Sequence, residues 1–365
     1  MGLQCGIIGI TNVGKTTIFN CMSSTKAQAS NFAFSSNKSN ISIVNVPDAR
    51  LSVLQKFQPT DKSVHTTVEI VDIPGLAKGA NKGEGMGNSF LSDIRNCDAL
   101  IHVLRCFDDE NLPHVDGSVN PLRDIENINF ELQVKDLESI DKKIHRFEKN
   151  IKLGDKDAKH GIEVLKVYKN HLESMQSAST APVLESDKRF IADLSLLSIK
   201  PVIYVCNVDE ASAVKGNKYV DMVKELFKNE STEILIIAGK VEADIAELES
   251  EEDRSAFLKD VGLTEPGVNK LIRAAYTLLD LETFFTIGQK ENRAWTIKKG
   301  MTAPQAAGVI HSDLERGFIR AEVIKYNDFI TLGSEHACKE KGKLHVEGKT
   351  YIVDDGDILH IRFNV

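Results

Sequence analysis

An apolar run, CGIIGI at residues 5–10, leads into GITNVGKT at residues 9–16, and Lys15 to Ser23 then carries helical spacing. A strand, G-x-x-x-x-G-K-[ST] and a helix in that order are the context in which the pattern works as a phosphate-binding loop. Its glycines let backbone N–H groups close around phosphate oxygens, and the start of the helix adds its dipole. Val13, Gly14 and Thr17 are expected in the loop's contacts, with Lys15 reaching the terminal phosphates and the Thr16 hydroxyl binding Mg2+. A loop of this kind needs a strand behind it and a helix ahead, which commits the first part of the chain to an α/β fold.

The text that follows agrees. ISIVNV, TTVEIVDIP, ALIHVLRCF, PVIYVCN and EILIIAG read as further strands, and Ser89 to Asn96 and YVDMVKELFKN as helices. Short hydrophobic strands alternating with helices indicate a mostly parallel sheet. Between Phe107 and Pro201 the grammar changes. Phe130, Val134, Leu137, Ile140, Ile144, Phe147 and Ile151 fall at spacings of three and four, and after the turn KLGDKD a second stripe runs through Ile162, Leu165, Leu172 and Met175. Two such stripes predict an antiparallel helical hairpin.

From Leu279 the chain reads as a small mixed sheet. RAEVIKY, KLHVEGKTYIV and DILHIRFNV are strands, Glu347-Gly348-Lys349 a hairpin turn, and Thr302 to His311 one helix with Thr302 as its N-cap. The predicted division is a P-loop NTPase domain over 1–125 and 198–278, a helical insertion over 126–197, and a third domain over 279–365.

Asp72-Ile73-Pro74-Gly75 follows a hydrophobic strand, where an aspartate can hold Mg2+ through water and the Gly75 N–H can sense a γ-phosphate. Gly79, Gly83, Gly85 and Gly87 follow closely, as expected of a segment ordered by phosphate. Leu76 stands where many such enzymes place a water-orienting glutamine, so hydrolysis must recruit another group or be slow. His114 is one candidate. Asn12 is another, as ligand of a K+ ion beside the phosphates.

PVIYVCNVDE ends a strand in what resembles a guanine sensor with two changes. Asn-Lys-x-Asp is the guanine-reading form; here Asn207, Val208, Asp209 and Glu210 occupy the four positions. Glu210 is one methylene too long, Val208 replaces the lysine that packs over the base, and Asp209 comes one residue early. Losing paired hydrogen bonds to guanine can cost about 10⁴-fold in discrimination. The expectation is relaxed or switched base choice, with small residues, Ala238 and Gly239, kept under the base.

Taken together, GITNVGKT at 9–16, DIPGLAKGANKGEGMGN at 72–88, N-V-x-E at 207–210 and DGDILHIRFN at 355–364 resemble the YchF / Obg-like ATPase family over essentially the whole chain. The resemblance implies a translation-factor-type P-loop domain, a coiled-coil insertion and a C-terminal TGS domain. It implies ATP preference over GTP, ribosome association, and hydrolysis without the usual glutamine, with Leu76 as the hydrophobic replacement and His114 as the proposed catalytic histidine. One stretch departs: NFAFSSNKSN at 31–40 lacks both family prolines and puts Ser36 where a threonine would meet Mg2+. Serine keeps the hydroxyl but not the methyl that restricts χ1, and the missing prolines leave the loop more freedom to lose on closing. Slower Mg2+-linked closure is expected.

A net charge of -8 argues against a general polyanion binder, although residues 286–325 carry seven Lys or Arg against four acids. That supports RNA contact through the third domain as strongly as it supports a plain solvated face. Six scattered cysteines without metal-ligand spacing read as reduced thiols of a cytoplasmic protein. No apolar run approaches the ~18 residues that would span a membrane. The leading expectation is a monomeric, ribosome-associated Mg2+-dependent ATPase acting as a slow switch. A GTPase with an atypical sensor and a nearly inactive nucleotide-gated ribosome- or RNA-binding module remain as alternatives.

Overall fold

The computed structural model describes residues 3–23, 40–74, 86–152 and 154–364. The described residues form two compact units, the first from 3–23, 40–42 and those within 69–270, the second from 43–68 and 271–364.

From the N-terminus the elements are β1 (Gln4–Ile8), α1 (Lys15–Ser23), β2 (Asn40–Asn45), α2 (Ala49–Phe57), β3 (Lys62–Val64), β4 (Thr67–Asp72), α3 (Met86–Asn96) and β5 (Ala99–Arg105). Then come α4 (Pro121–Lys152), α5 (Lys156–Glu173), β6 (Val202–Asn207), α6 (Lys218–Leu226), β7 (Ile234–Ile237), α7 (Gly239–Glu247), α8 (Glu251–Val261) and α9 (Gly267–Leu278). The sheet of the first unit has the order β2-β4-β1-β5-β6-β7. The pairs β1–β4, β1–β5, β5–β6 and β6–β7 are parallel, as alternating strands and helices predict. Every residue of β5 is buried, which is why it reads as an unbroken hydrophobic run.

The helical insertion is α4 and α5, broken at Gly154 (φ +92°) and restarted by Asp155, whose carboxylate accepts from Asp157 N and Ala158 N. Ile140, Ile144, Ile162, Leu165 and Leu172 form the hairpin's core, as their spacing predicts. Phe130 and Ile151 do not join it; Phe130 is 46% exposed. The first turns of α4 instead bury Ile125, Ile128 and Leu132, Ile125 against β5, β6 and α7 residues of the main core. The apolar face rotates along the helix as its packing partner changes. Met175 lies beyond the end of α5 and is exposed. The return to the sheet is fixed by Asp136, whose buried carboxylate accepts from Leu197 N (2.7 Å), Ser198 N (2.8 Å) and Ser198 Oγ (2.7 Å).

The second unit adds β8 (Leu281–Thr286), β9 (Glu291–Lys298), α10 (Ala303–Ile310), α11 (Ser312–Arg316), β10 (Phe318–Ile324), α12 (Tyr326–Leu332), α13 (Glu335–Glu340), β11 (Leu344–Glu347) and β12 (Ile358–Phe363). Its sheet runs β11-β10-β12-β8-β9-β3. Thr302 is the N-cap of α10, as predicted, and its N–H donates to Gln305 Oε1 at 2.9 Å. The hairpin expected at 347–349 does not form. β11 pairs antiparallel with β10, and the chain beyond the turn makes one bridge, Ile352 to Thr302, because β10 offers a full antiparallel edge.

The sequence division also places α2 and β3 with the nucleotide domain, whereas these elements pack with the C-terminal sheet. Leu51 and Leu54 of α2 share a core with Phe285, Ala294 and Phe329, and β3 runs parallel to β9. Arg50 adds polar ties, donating to Asp48 and to Asp355 Oδ2 at 2.6 Å.

Candidate nucleotide site

The loop between β1 and α1 is bent at three points that few side chains tolerate. Gly9 has φ +151° and a Cβ there would sit 2.6 Å from the Val103 carbonyl; Asn12 is left-handed at +62°, and Gly14 at +95°. A chain curled in this way presents successive N–H groups to one concavity, the form of an anion nest. Ile18 N donating to Gly14 O opens α1 directly behind the loop.

Lys15 is only 7% exposed, and its Nζ donates to the Ile10 carbonyl at 2.6 Å. Burial pulls its pKa down to about 8, against the opposing pull of the Asp72 charge. Thr16 Oγ1 donates to Asp72 Oδ2 at 3.2 Å, so the two sequence-predicted Mg2+ ligands of this region meet at the end of β4. Burial raises the Asp72 pKa, partly offset by the Thr16 hydrogen bond and Lys15. A hydroxyl and a carboxylate side by side are hard oxygen donors suited to Mg2+. Asn12, Thr16 and Thr17 are exposed, while Val13 is fully buried.

Asn207, at the end of β6, closes the other side. Its Nδ2 donates to Val13 O at 2.8 Å, and its Oδ1 accepts from Gly239 N at 2.9 Å. One buried amide thus ties the phosphate loop to the first residue of α7. A Cβ on Gly14 would come within 2.2 Å of Asn207 Nδ2, and one on Gly239 within 3.0 Å of its Oδ1. Ala238 is the buried N-cap of that helix. Val208, in the place of the lysine that would pack over the base, points into the core. It is 3% exposed and packs in the core with Leu104, Cys106 and Ala238. Asp209 turns away, accepting from Ser212 N as cap of a short 3₁₀ turn, and Glu210 begins that turn exposed.

The segment after β5 is built around two residues that the sequence does not announce. The buried guanidinium of Arg105 donates to three carbonyls, Phe107 (3.2 Å), Leu112 (2.7 Å) and Asp109 (3.3 Å), and lies over the Phe107 ring. Asn217 Nδ2 donates to Cys106 O at 2.7 Å. A charged residue closing an otherwise apolar strand is the signal that marks Arg105. His114 follows within the same loop. Its Nδ1 accepts from Asp116 N (3.1 Å), and its Nε2 lies 3.2 Å from Asp124 Oδ2. Its side chain is 3% exposed. Asp124 sits in the first turn of α4, where an acid reads as ordinary helix-dipole matching, so nothing local flags it. Burial raises the Asp124 pKa, with the His114 hydrogen bond and Arg123 opposing.

Gly75, Leu76 and Ser36 lie outside the described residues, as does most of the 31–40 stretch.

Comparison with known proteins places this geometry. Residues 4–152 match the MMR_HSR1 family model, described as 50S ribosome-binding GTPase, and residues 281–364 match the model for the C-terminal region of YchF-type GTPases, described as a protein of unknown function. The chain is 48% identical over 365 residues to the ribosome-binding ATPase YchF of Escherichia coli O157:H7, covering all of both chains. It is 46% identical over 367 residues to that of Bacillus subtilis (strain 168), again over the full length of both. The solved Schizosaccharomyces pombe YchF GTPase superposes with a TM-score of 0.87 at 33% identity, covering 99% of this chain and 98% of that one. The P-loop architecture, the full-length identity and the matching solved structure establish that the chain belongs to the YchF family.

Proposed function

We propose that this protein is a ribosome-associated ATPase that hydrolyses ATP to ADP and phosphate as a slow switch. The observation that carries the reading is the convergence of Lys15, Thr16 and Asp72 beneath a loop tied by Asn207 to Gly239. Lys15 gives up the Ile10 carbonyl to bind the terminal phosphates. Asn207 holds the loop in place against β6. Thr16 and Asp72, with Ser36, hold Mg2+, which neutralises phosphate charge when bound. The exposed Glu210 gives guanine no short, placed carboxylate, so the pocket accepts ATP over GTP. Val208 and Ala238 support the base loop from beneath.

Within this reading Gly75 senses the γ-phosphate, Leu76 contributes only bulk, and His114 is the polar group that enters hydrolysis. Asn12 ligates K+ beside the phosphates. The nucleotide domain spans 1–125 and 198–278, the coiled-coil insertion 126–197 and the TGS domain 279–365, with α2 and β3 packed on the last. The protein works in the cytoplasm as a monomer, contacts the large subunit and the whole ribosome, and meets RNA through the basic 286–325 region. Among the described residues no helix is long and apolar enough to cross a membrane.

The test is isothermal titration of the full chain with ATP and GTP analogues in Mg2+, with K+ or Na+, followed by phosphate release and ribosome cosedimentation. ATP binding at least as tight as GTP, with turnover, is expected. A hundredfold preference for GTP, or no turnover with ribosomes present, sinks the reading.

A further inference from the structure

His114 is held with both ring nitrogens in use. Nδ1 accepts from the Asp116 N–H at 3.1 Å and faces Arg123 Nη2 at 3.4 Å. A nitrogen that accepts from a backbone N–H carries no proton of its own, so in the neutral ring the proton resides on Nε2, which donates to Asp124 Oδ2 at 3.2 Å. The carboxylate is 1% exposed and sits at the start of a 32-residue helix, so it cannot drift with the loop. Among the described residues its other oxygen has no hydrogen bond and faces Arg123 Nε at 3.8 Å, which concentrates its interaction on the histidine. Arg123 Nε also lies 3.6 Å from Asp116 Oδ2. The guanidinium therefore already supplies the positive charge that this group of a histidine and two carboxylates would otherwise take from a metal ion.

Water activation needs an accessible lone pair within hydrogen-bond reach of the water. A ring that is 3% exposed with neither nitrogen open offers none. We propose that Asp124 is a positioning residue for hydrolysis: together with the Asp116 N–H it fixes the Nε2–H tautomer of His114, and its carboxylate holds the ring withdrawn, so that turnover in the free protein waits on the ring leaving both partners. The proposal rests on the reading that His114 takes part in hydrolysis. It assigns to the first turn of α4, the helix that runs on into the insertion, a hold on the chemistry of the nucleotide domain.

The experiment compares full-length wild type with Asp124→Asn, His114→Ala and the double variant in steady-state ATP hydrolysis without ribosomes. Asn keeps the shape but replaces the charged acceptor with a neutral one, weakening the bond by an amount worth about tenfold in the equilibrium. Asp124→Asn is expected to raise kcat about tenfold at unchanged KM, and the double variant to fall back to the His114→Ala rate. A plain structural role lowers kcat instead, or moves KM, and either result overturns the proposal. If Asp124→Asn does not fold, the wild type still answers. ¹⁵N-imidazole spectra are expected to show His114 as the Nε2–H tautomer, with that proton exchanging more slowly than those of exposed histidines. Rapid exchange, or the Nδ1–H tautomer, overturns the proposal. His114→Ala at wild-type rate defeats the reading beneath it, whereas a slow His114→Ala beside an unaccelerated Asp124→Asn defeats the proposal alone.

Discussion

Asn207 and Val13 lie 194 residues apart, yet the Asn207 amide donates to the Val13 carbonyl at 2.8 Å from within the core. The same amide accepts from Gly239 N, so the phosphate loop and the base-side turn share one support. Removing it leaves a buried carbonyl and a buried N–H unpaired, at about 1–3 kcal/mol each. Asn207→Ala is expected to lower stability by roughly 2–4 kcal/mol in urea unfolding. It should weaken ATP and GTP alike by titration, leaving their ratio unchanged. A selective loss of one nucleotide means that the amide reads the base.

Gly14 faces that amide with no room to spare. A methyl group there would sit 2.2 Å from Asn207 Nδ2 on a residue at φ +95°. Gly14→Ala must therefore push the amide away and carry left-handed strain of about 1–3 kcal/mol. Loss of ATP binding by at least tenfold and a lower melting temperature are expected. Normal binding shows that the loop can widen at little cost.

Lys15 predicts a pH dependence of opposite sign for binding and for stability. Burial brings its pKa to about 8 in the free protein, from an ordinary 10.5. Phosphate needs the ammonium, so the ATP Kd should stay flat through pH 7 and rise by up to about tenfold per pH unit above 8. Between about 8 and 10.5 the unfolded chain holds the proton that the folded one has lost. Lys15's contribution therefore makes the ligand-free protein more stable as pH rises across that window. Lys15→Met should remove both trends. Calorimetric titrations at pH 7 and 9, paired with unfolding curves, check this.

Thr16 and Asp72 meet at 3.2 Å, and their shared role is separable from the fold. Asp72→Asn keeps an acceptor for the threonine hydroxyl but removes the charge that attracts a hard cation. ATP affinity in EDTA should change less than threefold, while the gain on adding Mg2+ should largely vanish. If Mg2+ still tightens binding as in wild type, the cation is held by other groups.

Asp136 closes the helical insertion onto the sheet through three hydrogen bonds to Leu197 and Ser198. Asp136→Ala strands two backbone N–H groups, one of them buried, and should cost about 3 kcal/mol in urea unfolding. Ser198→Ala removes only the hydroxyl bond and should cost about 1 kcal/mol. Equal losses from the two variants contradict the assignment of the backbone bonds as the main support.

Local spacing was enough for the features that are themselves local. The phosphate loop and α1, the parallel strands, the helical hairpin and the Thr302 cap each declare themselves within a dozen or two residues. They rest on side-chain periodicity, glycine torsions and capping, all set by near neighbours. β8 and β9 carry no clear strand signal because LETFFT and ENRAWTIK mix charged and apolar residues, and their burial comes from the sheet they join. In sequence α2 and β3 read as part of the nucleotide domain because they sit between its strands, and only the core shared by Leu51, Leu54 and Phe285 and the pairing of β3 with β9 place them elsewhere.

The site divides along the same line. The sequence named Lys15, Thr16 and Asp72 because phosphate and Mg2+ chemistry demands those residue types at that spacing. It also named Asn207 and His114, but as readers of base and water. The tertiary structure decided what these two touch, joining Asn207 to Val13 and Gly239 and His114 to Asp124. It also enlisted Arg105, whose guanidinium organises the loop that carries the histidine. A buried hydrogen bond depends on which distant backbone arrives at 3 Å, and that is fixed by packing of whole elements, not by the spacing of letters along the chain.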